Sequence, residues 1–161
     1  FARKNQVNLT ESDVVKLARH SIGSVIIPDS IKLRLNNKVS DPLVNLDYDQ
    51  MTQVFANLLK NAVDAMPGQG EIDFDLVDNH DQLIVSITDN GTGIPPENMD
   101  KLFTPFFTTK GPGKGTGLGL PIIYGIVKMH KGDISVKSNI DPAKGPTGTT
   151  FTITIPRNRL V

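Results

Sequence analysis

The chain of 161 residues has no cysteine, no surplus of either charge and no apolar run of membrane-spanning length. Without thiols there is no disulfide framework and no thiolate metal site, and a reducing compartment is allowed. Seventeen basic side chains balance seventeen acidic ones. That balance removes the bulk electrostatic argument for nucleic acid or for an anionic membrane surface. The start does not read as a signal peptide, and neither an internal repeat nor a low-complexity tract interrupts the chain. Since residue 1 is Phe rather than Met, the chain is expected to be a fragment of something longer. Its length suits one domain with a sizeable core.

What the sequence does have is glycine in telling places. In Gly115-Thr116-Gly117-Leu118-Gly119-Leu120 three glycines alternate and then run into an apolar helical pattern. Glycine lets backbone turn tightly and come close to a ligand. A helix starting there aims unpaired N–H groups and a positive dipole end forward, which suits phosphate. The stretch before it, from Lys101 to Gly117, is rich in glycine, holds Pro105 and Pro112, and carries Leu102, Phe103, Phe106 and Phe107. It is too long for a simple connector and reads as a lid.

Upstream, the first strand is expected near Val7 and Leu9. Thr10 with Asp13 resembles a capping box before a helix whose apolar stripe is Val14, Leu17, Ala18 and Ile22. His20 falls off that stripe and reads as solvated. Ile31 to Leu35 alternates as a half-buried strand, and a short strand spans Leu43 to Leu46. Asp49 or Asp47 can cap the next helix, which runs to about Met66 before Pro67-Gly68. Met51, Val54, Phe55, Leu58, Leu59, Ala62 and Met66 form its apolar stripe. Gln53, Asn57, Lys60, Asn61 and Asp64 share its other side. Asparagine is a mediocre helix former, so two of them one turn apart in mid-helix call for a reason.

Two alternating strands follow, with Ile72, Phe74 and Leu76 on one face of the first and Leu83, Val85 and Ile87 on one face of the second. Asp89 shares the parity of the latter set, so it should leave the strand end on the core side. A carboxylate there is costly unless donors meet it; it can also cap the Asp-Asn-Gly turn. Regular structure should end in Gly91 to Pro96. Strands Asp133 to Lys137 and Thr149 to Ile155 close the chain, with Thr149 in the parity of Phe151, Ile153 and Ile155. Antiparallel pairing would bring Thr149 beside Asp89. The element order implies a two-layer α/β sandwich: one mixed, mostly antiparallel sheet with helices on one face.

Three motifs thus stand in order: Asn57-Leu58-Leu59-Lys60-Asn61-Ala62-Val63-Asp64-Ala65-Met66, Asp89-Asn90-Gly91-Thr92-Gly93-Ile94-Pro95 and Gly115-Thr116-Gly117-Leu118-Gly119-Leu120. They resemble the N, G1 and G2 boxes of the GHKL superfamily, which joins gyrase, Hsp90, MutL and the histidine kinases. Leu102-Phe103-Thr104-Pro105-Phe106-Phe107-Thr108-Thr109-Lys110 resembles the F box of sensor histidine kinases, and Gly148-Thr149 the last glycine box. The resemblance covers nearly the whole chain, roughly residues 6–156.

That resemblance implies a Bergerat fold with an ATP lid, and a catalytic ATP-binding domain at residues 9–157. Residues 1–8 would be a linker from a dimerisation and phosphoacceptor region, and residues 158–161 a tail. The implied site is Asn57, Asn61, Asp64, Asp89, Gly91, Gly93, Ile94, Phe107, Lys110, Gly115, Thr116, Gly117, Leu118, Gly119 and Thr149. Asp89 would accept the adenine amino group and Thr149 would join through a water. Asn61 would offer its amide oxygen to Mg²⁺, a hard cation that prefers oxygen. Asn57 and Asn61 would be the catalytic pair, and Lys110 or Lys114 would add charge at the phosphates.

In ATPase members the position matching Asn57 is typically glutamate, which activates water. Asparagine cannot act as a general base at neutral pH, so the γ-phosphoryl is kept for another nucleophile, as in a kinase. Many histidine kinases carry lysine where Asp64 stands. None of His20, His80 and His130 has the surroundings of a phosphoacceptor, so that histidine is expected before Phe1. The implied partners are its own dimerisation domain and, indirectly, a response regulator. No nucleic acid and no direct membrane contact by this domain are expected, and a cytoplasmic place is expected, whether or not the parent protein is membrane-anchored. The alternatives are a GHKL serine kinase of the anti-sigma-factor type and a nucleotide-binding regulator without transfer activity.

Overall fold

The computed structural model describes residues 6–105 and 119–157. Its elements, in chain order, are β1 (Thr10–Asp13), α1 (Val14–Gly23), β2 (Ile31–Lys38), β3 (Leu43–Leu46), α2 (Tyr48–Asp64), β4 (Gly70–Asp78), β5 (Gln82–Asp89), α3 (Pro96–Met99), α4 (Gly119–Met129), β6 (Asp133–Asn139) and β7 (Gly148–Pro156). Five strands form one sheet in the order β2-β4-β5-β7-β6. Only β2 and β4 run parallel; the remaining pairs are antiparallel. A parallel pair needs a long crossover, and β3 with α2 supplies it. The expected α/β sandwich is therefore present, with one correction: β1 and β3 form a separate two-stranded ribbon instead of joining the main sheet.

Alternation decides which face of the sheet is buried. Ile72, Phe74 and Leu76 of β4, Leu83, Val85 and Ile87 of β5, and Phe151, Ile153 and Ile155 of β7 are all buried. Against them lie the apolar stripes of the helices: Val14, Leu17 and Ala18 of α1, the predicted Met51-to-Ala62 stripe of α2, and Ile123, Ile126 and Val127 of α4. Phe55 of α2 meets Phe74 of β4 edge-on, ring centroids 5.4 Å apart. The opposite face is polar. Hydroxyl pairs Thr88 with Thr150 (3.0 Å) and Ser86 with Thr152 (3.2 Å) cross its centre, and Arg34 bonds Asp73 and Glu71 beside them.

The helix starts refine the sequence reading. Asp13, not Thr10, caps α1, its carboxylate accepting from Val15 N and Lys16 N. Thr10 opens β1 instead, so the first strand begins later than Val7 and Leu9. Ser/Thr/Asp caps compete for the same orphan amides, and here the aspartate directly before the stripe wins. Asp47 rather than Asp49 caps α2 by accepting from Gln50 N. His20 is exposed, as expected, and its Nδ1 lies 3.2 Å from Tyr48 Oη.

Candidate functional site

Strand β5 ends on the residue that its alternation singled out. Asp89 is only 7% exposed and sits directly opposite Thr149, itself 5% exposed, in the antiparallel register of β5 with β7. The juxtaposition expected from strand parity is present. Directly paired residues on one face hold their side chains side by side, about 5 Å apart at Cβ. Burial pushes the Asp89 carboxyl above the usual carboxylate range, against the opposing effect of the backbone N–H groups of Gly91 and Thr149. Both donate to the same oxygen: Gly91 N at 2.9 Å and Thr149 N at 3.3 Å from Oδ1. Among the described residues nothing donates to Oδ2. A buried carboxylate with one oxygen fixed and the other open is a receptor for an N–H donor.

The backbone around Asp89 is compressed where glycine stands. Gly93 holds φ at 83°, and a Cβ there would lie 2.3 Å from the Asn139 carbonyl oxygen. Gly148 holds φ at 139°, and its Cβ would lie 2.0 Å from the Asp89 carbonyl oxygen. Larger residues would be both strained and clashing. Ile94 N, next to Gly93, donates to Ser138 Oγ at 2.7 Å.

The C-terminal end of α2, the helix that carries the asparagines, lies against the loop after Asp89. The loop after Asp89 is tied to the helix end, Thr92 N donating to the Ala65 carbonyl at 3.4 Å. Asn61 lies four residues earlier, about 6 Å along the axis, and Asn57 one turn beyond that. Both are half-buried, whereas Asp64 on the last turn is exposed. Among the described residues no group of three or more His, Cys, Asp or Glu gathers to hold a metal. An amide oxygen suits a hard cation that brings its remaining oxygens with it, as a triphosphate-bound Mg²⁺ does.

After α3, Leu102 is buried and Phe103 packs against Tyr124 of α4, centroids 5.3 Å apart. Gly119 is the first residue of α4. The predicted contributions of Phe107, Lys110, Lys114, Gly115, Thr116, Gly117 and Leu118 lie outside the described residues.

Two residues escaped the sequence reading. Ser138 bonds Ile94, Gly148 and Thr149 together. The signal was present, because Ser138 continues the core-side parity of Ile134 and Val136 in β6, as Asp89 does in β5. Asn139 donates to the carbonyls of Asp141, Gly145 and Pro146 and so shapes the loop leading back to Gly148.

A sequence profile of the histidine kinase-, DNA gyrase B- and HSP90-like ATPases matches residues 46–159. Among curated relatives, sporulation kinase A of Bacillus subtilis is 38% identical over 80% of this chain and 20% of its own length. Sensor histidine kinase ZraS of Escherichia coli is 36% identical over 98% of this chain and 33% of its own length. The chain thus spans a third or less of these relatives. Of solved structures, the mycobacterial sensor histidine kinase MprB superposes with a TM-score of 0.78 at 27% identity, covering 95% of this chain and all of that one. The histidine kinase ThkA in complex with response regulator TrrA gives 0.75 at 28%, covering 94% and 42%. With its five-stranded sheet, its buried Asp89 and its asparagine-bearing α2, the chain belongs to the histidine kinase-, DNA gyrase B- and HSP90-like ATPase family, as a catalytic ATP-binding domain of the histidine-kinase kind.

Proposed function

We propose that the chain binds Mg-ATP with its adenine at Asp89 and its phosphates toward Asn57 and Asn61, and serves the transfer of the γ-phosphoryl group to a histidine on a separate dimerisation domain. The observation that carries this reading is the Asp89 carboxylate, buried, held at Oδ1 by two backbone amides and, among the described residues, without a donor at Oδ2. An adenine amino group supplies the missing donor, whereas a keto oxygen would face a negative charge. Thr149 stands beside it, and Gly93 and Ile94 form the adjoining backbone.

Asn61 offers an amide oxygen to the cation and Asn57 stands one turn away; neither removes a proton from water at neutral pH. The γ-phosphoryl is thereby preserved for an imidazole that attacks in line, with Mg²⁺ and backbone N–H groups stabilising the spreading charge. Lys110, Lys114 and the Gly115-to-Gly119 box belong to the phosphate end in this reading. Residues 1–8 are the connection to the dimerisation domain, and a response regulator receives the phosphoryl group afterwards.

The test uses the chain with the dimerisation domain of its parent protein and labelled ATP. Wild type should bind ATP in calorimetry and place an acid-labile phosphohistidine on that domain. Asp89→Asn should lose at least tenfold in affinity, the loss of a charge-assisted hydrogen bond of roughly 1.5–3 kcal/mol. Unchanged affinity in that variant would refute the adenine assignment. Saturable binding without any transfer would leave a nucleotide-binding regulator.

A further inference from the structure

Behind the Asp89–Thr149 pair lies a hydroxyl whose proton has only one fully satisfying place. Ser138 Oγ accepts from Ile94 N at 2.7 Å, lies 3.0 Å from the Gly148 carbonyl oxygen and 2.8 Å from Thr149 Oγ1. A carbonyl only accepts, so Ser138 must donate to Gly148 to make that bond. All three bonds then form together in one arrangement alone, with the Thr149 hydroxyl donating its own proton to Ser138 Oγ. The alternative, Ser138 donating to Thr149, forfeits the bond to Gly148. Thr149 Oγ1 is left with lone pairs and no free proton.

We propose that Ser138 is a specificity-determining residue that acts through Thr149: by taking the Thr149 proton it makes the Asp89–Thr149 pair acceptor-only. Asp89 Oδ2 and Thr149 Oγ1 then both call for donors from the ligand. An exocyclic amino group carries two N–H bonds and meets this demand directly or through a bridging water. A carbonyl at the same position would face two acceptors. Ser138 itself touches no ligand; it positions a proton. The inference rests on the adenine reading of Asp89, deepening it from one recognition residue to a set of three.

The probes are ATP and inosine triphosphate, whose bases differ in the substituent at position 6 and the proton at N1. Both are titrated into the wild-type chain and into Ser138→Ala, Thr149→Val and the double variant, with circular dichroism and melting temperature recorded for each. Wild type should prefer ATP strongly. In Ser138→Ala the freed Thr149 hydroxyl can turn and donate to a carbonyl. The ATP-to-inosine-triphosphate affinity ratio should therefore fall about three- to tenfold, largely by a gain for inosine triphosphate. Adding Ser138→Ala to Thr149→Val should change the ratio no further, because Ser138 works only through that hydroxyl.

A Ser138→Ala variant that weakens both nucleotides alike, leaving the ratio unchanged, would overturn the inference and reduce Ser138 to a brace for Ile94. Should Ser138→Ala fail to fold, a Thr149→Val chain with the wild-type ratio would overturn it equally. A wild-type chain without preference for ATP would sink the adenine reading first and this inference with it. ATP preference lost in Asp89→Asn but untouched in Ser138→Ala would sink the inference alone.

Discussion

At the scale of single residues, Asp89 shows how one position can be unfavourable for folding and suited to binding. Its carboxyl lies above the ordinary value of 3.8 because burial outweighs its two backbone donors. A raised carboxyl favours the protonated folded state. The charge therefore costs stability at pH values above the folded pKa, and that cost disappears as pH falls toward the unfolded value. Asp89→Asn should consequently melt no lower than wild type at pH 7 in the absence of nucleotide, while binding ATP poorly. A clear drop in melting temperature would show that the carboxylate serves the fold and not the ligand. Position 89 was legible from two sequence facts, strand parity and the Asp-Asn-Gly turn. Ser138 had the same parity signal, but a serine at a strand end has so many ordinary roles that nothing marked it until its three partners met.

At the scale of elements, α2 and the core strands were legible because their period is enforced by burial on one side. The stripe from Met51 to Ala62 and the alternation in β4, β5 and β7 are buried as read. The β1–β3 ribbon was not, since four-residue strands carry too few alternations to fix a partner. Nor was the joint between helices. His130, just after α4 and 2% exposed, has Nδ1 2.8 Å from the Ile126 carbonyl and Nε2 accepting from Asp47 N at 3.0 Å. Those two roles require the neutral ring with its proton on Nδ1. Helix α4 is thereby fastened to the start of the helix that carries Asn57 and Asn61. His130→Phe keeps a ring in place but removes the acceptor of the Asp47 N–H. It should cost about 1–3 kcal/mol in urea unfolding, and stability equal to wild type would show that the joint carries no weight. No spacing in the sequence connects His130 with Asp47, which lie 83 residues apart.

Across the whole molecule, the same kind of contact closes the domain, and it was invisible for the same reason. Arg157, directly after β7 and 3% exposed, belongs to no motif in the sequence. Its guanidinium donates to the carbonyls of Leu43 and Asp41 (2.9 and 2.7 Å) and is paired with the carboxylate of Asp78. Asp78 also accepts from the backbone amides of Ser40 and Asp41 and from the Ser40 hydroxyl. Burial pushes this carboxyl up, but these donors and the guanidinium outweigh it and hold it at about 2, below the ordinary 3.8. Three distant stretches, the β2–β3 connection, the β4–β5 hairpin and the end of β7, are fastened at one point. A buried pair of this kind adds little net stability over an apolar substitute, yet removing one partner leaves a buried charge unmet. Arg157→Ala should therefore cost about 3–5 kcal/mol at pH 7 in urea unfolding. For a depressed carboxyl, the contribution is present above the unfolded value and is lost as pH falls through the folded one. Wild type should accordingly lose this contribution between about pH 4 and pH 2. Arg157→Ala, whose Asp78 is less depressed, should show a smaller loss over that window. If both chains lose the same amount, or the variant stays within about 1 kcal/mol of wild type at pH 7, then the backbone amides alone hold Asp78 and the closure is made by the sheet.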